Sequence, residues 1–170
     1  ALTVAGALMA AASVTSGARR DGDNPALLRM LAVGSRAALA VRSLPPALLG
    51  ACWLGAALAV LGAGMWWPLF GLACGPVLAV AALRMARRRP IDHSMPVIDT
   101  PGGAIPTGPL LWALAGVDLA LLGCVPALLA LAVRPADPLP FLVAQTVSGL
   151  ALLGGYVALS PAAAARRRRA

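Results

Sequence analysis

LPPALLGACWLGAALAVLGAGMWWPLFGLACGPVLAVAALRMARRR, residues 44–89, carries no charged side chain before Arg84. Two apolar runs flank Trp66-Trp67-Pro68, and each approaches the roughly 20 residues needed to cross about 30 Å of hydrocarbon. Paired indoles beside a helix breaker suit the interfacial turn of a helical hairpin. Pro45 and Pro46 are expected in the first turn of the first run, where a missing N–H costs little. The second run stops at Arg84, Arg87, Arg88 and Arg89, which cannot enter hydrocarbon cheaply. Residues 44–83 therefore read as a transmembrane hairpin.

The whole chain agrees with this start. Of its 170 residues 60% are apolar and 12% charged, and the mean hydropathy is +0.84, so polar surface is too scarce for a body of this size in water. The expected fold is all-α, a polytopic transmembrane helical bundle in the lipid bilayer, with an amphipathic interfacial helix. All 14 basic residues are Arg and all six acids Asp, giving a net charge of +8. Nucleic acid is not an expected partner, because the arginines sit at the ends of apolar runs and no basic patch with interleaved aromatics exists. Cys52, Cys74 and Cys124 lie inside apolar runs without metal-ligand spacing, so neither a disulfide nor a redox role is expected.

Residues 1–17 are apolar or small and precede Arg19 and Arg20. Their order is wrong for a signal peptide, whose basic residues come first, and a transmembrane helix cut short by a fragment boundary fits better. Arg19 to Asn24 reads as a charged turn, with Asn24 as N-cap and Pro25 at the first helical position. Residues 25–43 follow as an amphipathic surface helix in which Arg29, Arg36 and Ser43 share one stripe. Residues 84–109 form an Arg- and Pro-rich loop, its last 20 residues holding five prolines and three glycines, a composition that excludes a helix or a central strand. Residues 110–159 read as a second transmembrane hairpin around Arg134 to Pro138, interrupted by Asp118 and Pro126, and residues 160–170 as a basic tail. Placing Arg19 to Arg42, Arg84 to Arg89 and Arg166 to Arg169 on the cytoplasmic side leaves only Arg134 opposite. That arrangement has five passes, the first one short, and a cytoplasmic C-terminus.

Few residues carry chemistry. Asp118 sits inside an apolar run, where an acid costs about 2.5 to 3.5 kcal/mol and needs a partner or water. It reads either as a proton or substrate site, or as a carboxyl bonded to Ser148, Trp112 or another subunit; the absence of a second acid or a His at that depth favours the bonded carboxyl. Gln145, Thr146 and Ser148 read as polar glue between helices. Gly71/Gly75, Ala51/Gly55 and Ala151/Gly155 have small-xxx-small spacing and support helix packing, within the chain or in a homo- or hetero-oligomer. Asp92, His93 and Asp99 lack the spacing and scaffold of a metal site. Asp21-Gly-Asp23 is likewise better read as a charged turn than as a metal motif. No phosphate loop, Ser/His/Asp set or HExxH motif is present, so no cofactor, metal or catalytic residue is expected.

The stretch Pro96-Val-Ile-Asp-Thr-Pro-Gly-Gly-Ala-Ile-Pro-Thr-Gly, leading into Gly116-Val-Asp118, resembles multi-span membrane subunits associated with ABC-type exporters of actinobacteria, over about residues 90 to 160. The resemblance implies a permease-like subunit in a bacterial plasma membrane, energised by a separate ATPase, and the present chain would be a C-terminal part of such a subunit. Under it, Arg29, Arg36, Arg87, Arg88 and Asp99 form the partner surface, and Asp118, Gln145 and Ser148 line or stabilise the helix interface. The alternatives are a non-transporting accessory or assembly subunit and, less favoured, an intramembrane lipid enzyme, which would need Asp118, Asp92, His93 or Asp99.

Overall fold

A computed structural model describes residues 2–23, 30, 34–61, 64–88 and 96–159. Asn24, Pro25 and the first part of the expected helix 25–43 lie outside these residues, whereas from Ser35 onward that segment is described and is not a separate surface helix; the basic tail 160–170 also lies outside them. The elements are α1 (Leu2–Ser13), α2 (Ser16–Asp23), α3 (Ser35–Val60), α4 (Trp67–Ala86), β1 (Val97–Thr100), β2 (Gly103–Pro106), α5 (Thr107–Leu114), α6 (Val117–Gly123), α7 (Val125–Val133) and α8 (Leu139–Ala158). The fold is an all-α membrane bundle: α3, α4 and α8 are each long and apolar enough to cross a bilayer.

The α3–α4 hairpin is the centre of the fold, and small residues set its spacing. A Cβ at Gly71 would strike the backbone of Gly55, and one at Gly75 would stand 3.0 Å from the Ala47 carbonyl oxygen. The Gly71/Gly75 pair thus meets the Ala51/Gly55 pair inside one chain, and the two backbones touch. Behind this contact α4 is wrapped by the rest of the bundle. Cys74, Val77, Leu78, Ala81, Ala82 and Leu83 are inaccessible to solvent.

Two expected boundaries move. The helix expected to begin at Leu44 instead runs unbroken from Ser35, so Pro45 and Pro46 lie in its interior. They deprive the Val41 and Arg42 carbonyls of their helical donors, and both of those residues are exposed. The apolar first segment ends at Ser13, where the Ser13 and Thr15 hydroxyls donate to the carbonyls of Ala10 and Ala12 at 2.7 Å, a local bond that competes with helix continuation. The expected charged turn after it is helical (α2) and is tied to α3 by the Asp21–Arg42 ion pair at 3.0 Å.

The expected single span after residue 110 is three short helices. Gly116 takes a φ of +99° between α5 and α6, a conformation that favours glycine, and Cys124 separates α6 from α7. From Val117 to Val133 the chain still advances about 25 Å at 1.5 Å per residue. The preceding loop also holds regular structure. Val97–Thr100 pairs antiparallel with Gly103–Pro106, Thr100 facing Gly103. Pro101 and Gly102 make the turn, and Gly103 has a φ of +120°. Both strands of a two-stranded ribbon are edges, where proline is tolerated.

Neighbouring side chains give the directions of the passes. Gly6 lies on Trp53 and Gly17 on Arg42, so α1–α2 runs antiparallel to α3. Gly116 lies on Ala81 and Met85 and Gly123 on Val77, so α6–α7 runs antiparallel to α4. Tyr156 and Val157 of α8 pack on the Leu39 and Leu83 cluster. One end of the bundle therefore gathers Asp21, Arg36, Arg42, Arg84, Arg87, Arg88 and the C-terminus of α8. The other holds the Trp66/Trp67 turn and Arg134.

Candidate functional site: a clamped break between two short helices

The break between α5 and α6 lies against the arginine end of α4. Breaking a helix leaves carbonyls at the end of one half and N–H groups at the start of the next without intrahelical partners. Arg88 serves the first set. Its Nε and one terminal nitrogen donate to the Ala115 carbonyl at 3.2 and 2.9 Å, and the same nitrogen reaches the Ala113 carbonyl at 3.4 Å. Its guanidinium carbon lies 4.6 Å from the centre of the Trp112 ring, which adds a cation–π contact. Asp118 serves the second set. One carboxylate oxygen accepts the Gly116 N–H at 2.8 Å, while the other lies 3.4 Å from Arg84.

Arg84 and Arg88 are four apart and so share a helical stripe, and they grip the two sides of one break. Gly116 allows the close approach: a Cβ there would stand 2.6 Å from the Ala81 carbonyl oxygen and 2.5 Å from the Met85 side chain. Asp118 is thus in the first turn of α6, level with the end of α4. Asp118, expected inside one continuous span that begins at Leu110, lies instead near the start of a short helix that begins at Val117. Its partner is neither Ser148 nor Trp112.

Gln145 marks a second interruption further along the pass. In a continuous helix the Ala127 N–H would donate to the Gly123 carbonyl, its i−4 partner. Instead, the fully buried Gln145 side chain stands between them. Its amide nitrogen donates to the Gly123 carbonyl at 2.8 Å, and its amide oxygen accepts the Ala127 N–H at 3.2 Å. Such an insertion is a recognised cause of helix kinks, here beside Pro126. The free thiols of Cys74 and Cys124 are buried in the same core cluster.

The remaining polar side chains of α8 turn onto their own helix. The Ser148 hydroxyl donates to the Gln145 carbonyl at 3.0 Å and the Thr146 hydroxyl to that of Leu142 at 2.8 Å. Asp118 and Gln145 therefore act at two separate breaks. Of the expected partner surface, Arg36 is exposed in the first turn of α3, Asp99 is exposed on β1, and Arg87 is half-buried at the end of α4. Arg88 turns inward to the clamp. Arg29, Asp92 and His93 lie outside the described residues. Sequence reasoning missed Arg84 as the Asp118 partner, although the Arg84/Arg88 spacing and a glycine two residues before the acid were both visible. Among the described residues, no three His, Cys, Asp or Glu side chains group as metal ligands.

Comparison with protein-family models, curated proteins and solved structures gives no match.

Proposed function

We propose that the chain is a permease-like membrane subunit of an exporter in a bacterial plasma membrane, with no catalytic residue of its own and energised by a separate ATPase. The carrying observation is the clamped break. A helical pass interrupted beside the arginine end of α4 and joined directly to an exposed hairpin is a mechanical joint, the kind of discontinuous helix that transport proteins use. The Thr107 hydroxyl at the start of α5 donates to the Pro96 carbonyl at the base of the hairpin, so the hairpin and α5 move together. A partner that pushes the hairpin would act on α5 and, through Gly116, on α6. In this reading Arg36, Asp99 and the hairpin form the cytoplasmic docking surface.

A second reading is favoured by a specific observation. The polar side chains of the spans bond to backbone groups, which leaves Gln145, Thr146 and Ser148 occupied rather than lining a path. This suits an accessory or assembly subunit that stabilises a larger complex. Purification from the native membrane in mild detergent, with mass identification of what stays bound, separates the two. The permease reading expects a stoichiometric ATPase that is lost when residues 97–106 are replaced by a Gly/Ser linker. Association with other membrane subunits and no ATPase would favour the accessory role.

A further inference from the structure

Three arginines at this end of the bundle have partners within the chain. Arg42 pairs with Asp21 at 3.0 Å, Arg84 lies 3.4 Å from Asp118, and Arg88 is bonded to the Ala113 and Ala115 carbonyls. Arg87 is half-buried and forms no ion pair or side-chain hydrogen bond among the described residues. It lines a recess between α2, α3 and α4 whose other polar walls are Asp21, Ser35 and Arg42. Asp21 offsets Arg42, so the recess keeps the one positive charge of Arg87, with the Ser35 hydroxyl as a further donor. Ala38 and Leu39 supply apolar wall beside it.

We infer that this recess binds one phosphate group, presented by the headgroup of an anionic phospholipid. A half-buried guanidinium with no counter-charge bonded to it among the described residues favours an anion, and its planar donor fork fits phosphate oxygens. A phosphodiester carries one negative charge and so matches the residual charge of the site. Position favours a lipid over a free ion. Arg87 directly follows a helix apolar enough to cross the bilayer, which sets it at headgroup depth, and basic pockets between transmembrane helices commonly hold anionic headgroups.

The test uses the full chain in detergent, titrated with fluorescently labelled phosphatidylglycerol or phosphatidylcholine, with inorganic phosphate as competitor. The expected result is saturable phosphatidylglycerol binding that phosphatidylcholine does not reproduce, weakened about tenfold or more in R87Q, in line with the loss of one charge-assisted bond. R134Q, at the opposite end of the bundle, should bind as the parent does. Equal binding of the two lipids, or unchanged binding by R87Q, overturns the site. Displacement of lipid by phosphate at comparable concentration overturns the lipid assignment and leaves a free anion as ligand. Native mass spectrometry of the unmutated chain is independent of how R87Q folds: retention of phosphatidylglycerol over phosphatidylcholine is expected, and equal retention overturns the proposal.

Discussion

Gln145 does at one point what a backbone bond would otherwise do, and its replacement tests whether the interruption of α6–α7 needs it. Gln145→Leu keeps the volume and removes the amide, leaving the Gly123 carbonyl and the Ala127 N–H buried without partners. Each unsatisfied group costs about 1 to 3 kcal/mol. A clear fall in the thermal unfolding midpoint in detergent is expected; an unchanged midpoint would mean that the two groups close onto one another and the pass straightens. Asp118 should be far more tolerant. An Asn at this position keeps an oxygen to accept the Gly116 N–H, and the ion pair it gives up joins side chains 45% and 42% exposed, where such pairs contribute about 0 to 1 kcal/mol. Asp118→Asn is therefore expected to unfold within about 1 kcal/mol of the parent, and Asp118→Ala to lose about 1 kcal/mol more through the hydrogen bond it no longer accepts from Gly116. Equal losses for both variants would show that the charge, and not the accepted hydrogen bond, holds the residue in place.

The same contrast extends to elements, because α3 and α4 approach only as closely as their small residues permit. Gly71→Ala puts a methyl into the Gly55 backbone and forces the hairpin apart, at about 1 to 3 kcal/mol for an overpacked contact. Gly154→Ala on α8 has open space around it and should stabilise by up to about 1 kcal/mol through helix propensity. Parallel melts of the two variants check this, and a tolerant Gly71→Ala would disprove the tight contact. At the break, Arg88→Ala should speed amide hydrogen exchange through residues 110–115, and Arg88→Lys should rescue little, since one ammonium cannot reproduce a forked guanidinium. The long spans were legible in the sequence because uncharged length alone identifies them. The breaks were not. Gly116 is one of 18 glycines, and what holds its conformation lies on α4, nearly thirty residues earlier. Gln145 likewise acts on a helix that precedes it. The hairpin was hidden for a different reason: five prolines exclude a central strand, but they leave room for a ribbon made only of edges, which Pro101-Gly102-Gly103 between two short β-prone stretches had signalled.

Across the whole molecule, the two ends of the bundle differ in charge, and that difference predicts an orientation in the membrane. The chain leaves the arginine end along α3, returns along α4, leaves again through α6–α7 and returns along α8, so Arg36 and Arg134 stand at opposite ends of the bundle. Arg134 is the last exposed cation of its pass, and the left-handed conformation it adopts, with a φ of 48°, ends α7. Positive charge clusters on the cytoplasmic side of bacterial membrane proteins, which would put Arg36 inside and Arg134 outside. Single cysteines at 36, 99 and 134, in a background with Cys52, Cys74 and Cys124 replaced, can be labelled in intact cells with a membrane-impermeant maleimide. Labelling at 134 alone is expected, with 36 and 99 reacting only after the cells are opened. Labelling at 36 and 99 alone would invert the protein while preserving the path of the chain. Labelling of 36 and 134 from the same side would break that path, because no bundle with α6–α7 antiparallel to α4 can bring those two positions to one face.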